Sequence, residues 1–184
     1  SADALVADAR QSAALKVLPR FLSVLRRQVR QWKQPIVGTF ARGENIPFKV
    51  LISTVLSLRT KDKTTEEASH RLFKFAETPQ AMLKLSAAEI EKIIFPVGFY
   101  RTKAKNILGI CQALIEKFGG EVPSDIDTLL SFKGVGRKTA NLVVTVGYGK
   151  PGICVDVHVH RISNRWGLVK TSAPDETETV LRNI

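Results

Sequence analysis

The chain has 184 residues, 44% hydrophobic and 24% charged, enough for one or two domains with a proper core. Its 28 Lys and Arg against 17 Asp and Glu give a formal net charge of +11. That balance points to a polyanionic partner, nucleic acid first and an anionic membrane surface second. No run of about 18 apolar residues is present, so no span across a membrane is expected. Asp3, Asp8 and Arg10 interrupt the early apolar residues, which argues against a signal peptide. The two cysteines, Cys111 and Cys154, lack metal-ligand spacing and are expected as small core residues in a reducing, intracellular compartment.

Residues 1 to about 14 are Ala-rich and polar, a frayed helix or a disordered lead. From Pro19 the pattern is helical, with Phe21, Leu22, Leu25, Val29 and Trp32 at three- and four-residue steps, until Pro35 ends it. A loop follows through Gly38 and Gly43. Pro47 is placed as the first residue of a helix whose Phe48, Leu51, Ile52, Val55 and Leu56 are apolar nearly all round, the pattern of a buried helix. Thr64-x-x-Glu67 reads as a capping box for the next helix, which carries Ala68, Leu72 and Phe75 inward and His70 at the surface or its boundary. Pro79 opens a short helix through Leu83. Ser86-x-x-Glu89 caps another, with Ile90 and Ile93 inward, broken by Pro96 and Gly98. Arg101 to Phe118 reads as one long helix ended by Gly119 and Gly120. Ser124 then caps a short helix leading to Ser131. Thr139 to Val146 is rich in β-branched residues, but its place directly after a glycine turn argues for a buried helix. No period-2 strand emerges, and the expectation is an all-α protein of about ten helices.

The functional signal concentrates between Phe132 and Arg161. Gly134-Val135-Gly136 reads as a tight turn using φ > 0, opening a helix whose N–H groups can receive a phosphate. Lys138 lies two residues into that helix, and Asp156 follows eighteen positions later. From Ser131 to Lys170 there are seven basic residues (Lys133, Arg137, Lys138, Lys150, Arg161, Arg165, Lys170), and Asp156 is the one acid. A carboxylate in such a field is strongly favoured as the anion. His158 and His160 lack further ligands nearby in sequence, so no metal site is expected.

LSFKGVGRKTAN and VDVHVHRISNRWG resemble the helix-hairpin-helix and catalytic segment of the endonuclease III family of DNA glycosylases. The likeness extends from about Phe48 to the end and includes LISTVLSLRTKD, VGFYRTKAKNI and GEVPSD. Lys133 stands where the family usually has proline before the first glycine. The resemblance implies two helical domains flanking a DNA groove: a six-helix barrel with the hairpin, over residues 47–155, and a second domain joining residues 1–46 to residues 156–184. It further implies a [4Fe-4S] cluster whose cysteines would lie beyond Ile184, so no cofactor is expected within this chain. The expected partner of a monomer is double-stranded DNA carrying a damaged base or an abasic site, in a bacterial cytoplasm or a eukaryotic nucleus or mitochondrion.

By the same resemblance Lys138 is the amine nucleophile and Asp156 its carboxylate partner. A lysine must be neutral to attack, and Arg137, Lys133 and the positive end of the helix disfavour its charged form. Asp156 can stabilise a cationic sugar, move a proton and cap the following helix. Gly134, Val135, Gly136, Arg137, Lys133 and His158 are expected at the DNA backbone. Arg59 stands at the family's gap-filling position and Phe99 at its apolar wedge. The activity implied is removal of oxidised pyrimidines through a lysine Schiff base. An 8-oxoguanine-type glycosylase and a non-catalytic helix-hairpin-helix module are the alternatives.

Overall fold

The computed structural model describes residues 2–29 and 43–183. Among them every regular element is helical, in keeping with the expected class. In chain order these are α1 Ala2–Val29, α2 Ile46–Ser57, α3 Asp62–Phe75, α4 Pro79–Met82, α5 Ala87–Ile94, α6 Tyr100–Phe118, α7 Ile126–Leu130, α8 Arg137–Leu142, a π-helical turn Val143–Gly147, α9 Val157–Arg165 and α10 Pro174–Arg182. The chain forms two compact units, one of residues 34–152 and one of residues 1–33 with 153–184.

The larger unit is built around α2. Phe48, Val50, Leu51, Ile52, Val55 and Leu56 are all buried. The polar residues they enclose, Ser53 and Thr54, return their hydroxyls to the Val50 carbonyl at 3.2 and 2.6 Å, so neither of these two donors is left orphaned in the core. Leu72 of α3, Met82 of α4, Ile90 and Ile94 of α5, Ile107 and Leu114 of α6, Leu129 of α7 and Ala140 of α8 complete one apolar cluster. Local signals start several helices. Ser86 and Glu89 form a reciprocal capping box on α5, and Thr78 accepts from Ala81 N with Pro79 in the first turn of α4.

Several boundaries depart from expectation. α1 is helical from Ala2 and continues through Pro19 instead of starting there. Trp32, Pro35 and Gly38 lie outside the described residues. The Thr64–Glu67 box does not form: α3 starts earlier, after Lys61, without a side-chain cap, and Asp62 in its first turn complements the helix dipole. Phe75 is exposed, since the chain leaves the helix there. Asp125, not Ser124, caps α7, accepting from Thr128 N at 2.8 Å; the Ser124 hydroxyl instead accepts from Lys150 Nζ at 2.7 Å. Cys111 is buried and desolvation pushes its thiol up to about 12, but Cys154 is only half-buried.

In the smaller unit Phe21 of α1 meets the Trp166 ring edge-to-face at 4.5 Å, and Gln11 Nε2 donates to the Leu168 carbonyl at 3.0 Å. α9 and α10 are tied by a polar network: His160 Nδ1 lies 2.6 Å from Thr177 Oγ1, and Asn164 receives Thr171 N at 2.9 Å.

Candidate active site

The hairpin joins α7 to α8. Leu129, Phe132 and Val135 are buried and anchor it in the core. Phe132 packs edge-to-face on Phe118 at 5.9 Å, and Val135 N donates to the Phe132 carbonyl at 3.1 Å. Only one of the two glycines has the left-handed backbone expected of both. Gly134 has φ +88, and a Cβ there would lie 2.6 Å from Asn106 Nδ2. Gly136 is extended at φ −99, ψ 177, because it is the N-cap of α8, a position that needs β-region backbone.

This turn sets its side chains apart by depth. Lys133, Gly134, Gly136 and Lys138 are exposed and Arg137 is half-buried. Lys138 is the second residue of α8 and is followed at once by buried Thr139, Ala140 and Asn141. The backbone carrying the lysine is therefore locked into the core while its amine faces solvent. The helix then widens into the π-helical turn, where Thr145 Oγ1 donates to the Asn141 carbonyl at 2.7 Å. Gly147 at its end allows close approach to α2: a Cβ there would lie 3.1 Å from Pro47 Cα.

A second constellation joins the α2–α3 and α5–α6 loops. Arg59 and Phe99 are both exposed, and both have left-handed backbones, at φ 53 and φ 56. Such φ is uncommon for residues with a Cβ and especially for bulky ones. The Arg59 guanidinium lies over the Phe99 ring, 5.6 Å from its centroid. The loops also interlock through the backbone. Gly98 N donates to Thr60 Oγ1 at 3.1 Å, and a Cβ on Gly98 would lie 2.6 Å from the Arg59 carbonyl oxygen. Arg71 holds the end of α5 from below, donating to the Ile93 and Phe95 carbonyls at 2.8 and 2.6 Å.

Sequence reasoning missed the residue at the centre of this arrangement. Lys103 is buried at 6% exposure. Its ammonium donates to the Leu56 carbonyl at 2.8 Å, the Leu58 carbonyl at 2.5 Å and Thr60 Oγ1 at 3.2 Å. Desolvation pushes its pKa down to about 8. A signal was present: Lys103 falls on the helical stripe of Ile107, Ile110 and Leu114, where an apolar residue belongs.

Asp156 belongs to the smaller unit, as N-cap of α9. Its Oδ1 accepts from His158 N and Val159 N, both at 3.0 Å, so the expected cap is made. His158 is exposed and shares a 3.3 Å contact with Arg161 through Nδ1. The hairpin with Lys138 and the Arg59–Phe99 pair thus belong to the larger unit, and Asp156 and His158 to the smaller.

Cysteine ligation of an iron–sulfur cluster needs four thiolates. Residues 1–184 hold two. Cys111 lies in the core of the larger unit and Cys154 belongs to the smaller. Among the described residues no group of His, Cys, Asp and Glu could hold a metal ion, so the residues present do not fit a cluster. Nor is any described helix long and apolar enough to cross a membrane.

Comparison with known proteins adds to this geometry. A family model described as HhH-GPD superfamily base excision DNA repair protein matches residues 52–184. The chain is 49% identical over 158 residues to endonuclease III of Thermotoga maritima, a match that spans 85% of this chain and 74% of that protein. It is 44% identical over 121 residues to endonuclease III of Haemophilus influenzae, across 66% of this chain and 57% of that one. The solved structure of a trapped endonuclease III–DNA covalent intermediate superimposes with a TM-score of 0.77 at 36% identity, covering 92% of this chain and 77% of its own.

Proposed function

Because the chain belongs to the endonuclease III family of helix-hairpin-helix base excision DNA repair proteins, we propose that it is a DNA glycosylase with abasic-site lyase activity, acting through Lys138 on oxidised pyrimidines. The observation that carries this reading is the presentation of Lys138: an exposed amine on a core-anchored helix, directly after a turn whose backbone can face a phosphate.

The damaged nucleotide leaves the stack, because its C1′ is hidden in the duplex. The neutral Nζ of Lys138 attacks C1′, and the glycosidic bond breaks with its electron pair leaving on the base, which takes up a proton. The sugar ring opens as nitrogen and carbon form the Schiff base. The iminium acidifies the C2′ proton; its loss expels the 3′ phosphate, and β-elimination cuts the strand on that side. Asp156 stabilises the cationic sugar and moves a proton, while its two backbone hydrogen bonds fix the orientation of the carboxylate. Lys133, Gly134, Gly136 and Arg137 hold the backbone of the lesion strand, with His158 on a neighbouring phosphate; Val135, expected among them, is instead the buried anchor of the turn, its N–H taken by the Phe132 carbonyl. Arg59 and Phe99 fill the gap left by the extruded base. In domain terms, residues 47–155 are the barrel, and residues 1–46 and 156–184 form the second domain. The site of action is a DNA-containing compartment inside the cell.

Borohydride trapping tests the nucleophile. The full chain should give a covalent adduct with duplexes bearing an oxidised pyrimidine or an abasic site. Lys138→Gln should give none, with base release and strand cleavage lowered at least about a thousandfold and DNA binding retained. Full base release by Lys138→Gln overturns the assignment in favour of a water-activating enzyme.

A further inference from the structure

Lys103 is a buried ammonium without a carboxylate among its hydrogen-bond partners. All three of its N–H groups go to neutral oxygens of one short segment: the Leu56 and Leu58 carbonyls and the Thr60 hydroxyl. Burying a charge against neutral partners is costly, and a methionine of similar length would suit the Ile107–Ile110–Leu114 stripe better. What the ammonium gains is control of the loop. Leu56 is close to the C-terminus of α2, where carbonyls lack helical partners and favour a cation. Leu58 and Thr60 flank Arg59, the residue in left-handed conformation.

The Thr60 hydroxyl extends the connection. It donates to the Leu58 carbonyl at 3.3 Å and accepts both from Lys103 Nζ and from Gly98 N, at 3.2 and 3.1 Å. Gly98 precedes Phe99. One ammonium and one hydroxyl thus join the segment carrying Arg59 to the segment carrying Phe99, and Lys103 itself lies on the first turn of the helix that Phe99 opens. The stacking of Arg59 over Phe99 is the outward face of this inner knot. Groups that must enter a duplex together gain when their loss of freedom is incurred at folding and not on encounter.

We propose that Lys103 is a positioning residue for base extrusion: its ammonium ties the Arg59 loop to the Phe99 loop, so that the two exposed side chains enter the duplex as one preformed wedge. This rests on the reading of Arg59 and Phe99 as gap-filling residues. Lys103 touches neither DNA nor the reacting atoms and acts through those two side chains.

The test is a double-mutant cycle in single-turnover rates. Wild type, Lys103→Met, Arg59→Ala and the double variant are compared on a duplex with a base-paired oxidised pyrimidine and on one with a preformed abasic site. Temperatures are kept below each variant's thermal transition. Thr60→Val, alone and with Arg59→Ala, is run in parallel, because it loosens the same knot without removing a buried charge and stands in should Lys103→Met fail to fold. Lys103→Met should slow the paired lesion about tenfold, with little change on the abasic site. Added to Arg59→Ala, either inner variant should cost little more, since interactions that act as a unit are not additive. Losses that multiply, or that are equal on the two substrates while Arg59→Ala alone is selective for the paired lesion, overturn this proposal and leave the wedge standing. An Arg59→Ala loss equal on both substrates overturns the wedge and this proposal together.

Discussion

Two turns of the larger unit reach the left-handed backbone by opposite routes. In the hairpin the conformation falls on Gly134, at φ +88, where the lack of a Cβ makes it nearly free. In the wedge loops it falls on Arg59 and Phe99, at φ 53 and 56, residues that resist it. In the proposed function the hairpin offers DNA its backbone, so a glycine serves. A wedge offers side chains, so glycine is excluded and the backbone must be held from outside by Lys103, Thr60 and Gly98. At Arg59 and Phe99 a side chain is kept in spite of the local backbone cost, and the surrounding contacts show what enforces the conformation.

The largest effect expected of that contrast lies in the hairpin. Gly134→Ala forces a Cβ into left-handed backbone and toward Asn106 Nδ2, 2.6 Å away. It should destabilise the fold by about 2 kcal/mol or more, from the backbone term plus displacement of Asn106. Gly136→Ala, at an extended N-cap with open space around it, should cost about 1 kcal/mol or less. Chemical denaturation of the two variants checks this. Equal costs would mean that both glycines serve the same backbone purpose.

The wedge side carries its cost as a buried charge. Burial pushes Lys103 down from its ordinary 10.5 to about 8. Between those pH values the unfolded chain holds a proton that the folded chain has shed, so this residue's contribution to stability rises with pH. Wild type should gain on Lys103→Met across that window, by at most about 1.4 kcal/mol per pH unit, and the difference should level off below pH 8. Urea unfolding of both proteins at several pH values reads it directly. A pH-independent difference would mean that the three oxygens compensate the burial in full.

This contrast also sorts what was legible in the sequence. The hairpin was legible because its requirements are local: GVG, then a helix, then a lysine. Even so, the assignment of φ > 0 to Gly136 failed, since N-cap and turn glycines look alike in a sequence. The same locality explains the capping boxes. Ser86–Glu89 formed, both of its reciprocal hydrogen bonds being present at the start of α5. Thr64–Glu67 did not, because α3 already starts after Lys61, three residues earlier. Ser124 gave way to Asp125, which accepts from Thr128 N, and its own hydroxyl was taken by Lys150, distant in sequence. Arg59 and Phe99 were singled out by resemblance, but neither their strained backbones nor their stacking could be read from composition. Lys103 was least legible: its partners lie more than forty residues away, and burial of a lysine is a tertiary property. Only its place on an apolar stripe hinted at it.

The smallest effect isolates the backbone from the side chain at one position. Arg59→Ala and Arg59→Gly both remove the guanidinium over Phe99, so both should slow base-paired lesions alike. Their stabilities should differ. Alanine retains the Cβ that opposes φ 53, a cost of about 1–2 kcal/mol relative to glycine. Glycine gives back about 0.4–1 kcal/mol through the greater freedom of its unfolded chain. The net expectation is that Arg59→Gly is the more stable of the two by about 1 kcal/mol, the reverse of the order seen in a helix interior. Thermal unfolding of the pair measures it. If alanine proves as stable as glycine, the loop relaxes out of the left-handed region once the guanidinium is gone. The conformation would then be held from the side-chain end, through the stack on Phe99. If glycine is more stable, the conformation persists without the guanidinium. The enforcing contacts are then the inner ones at Lys103, Thr60 and Gly98.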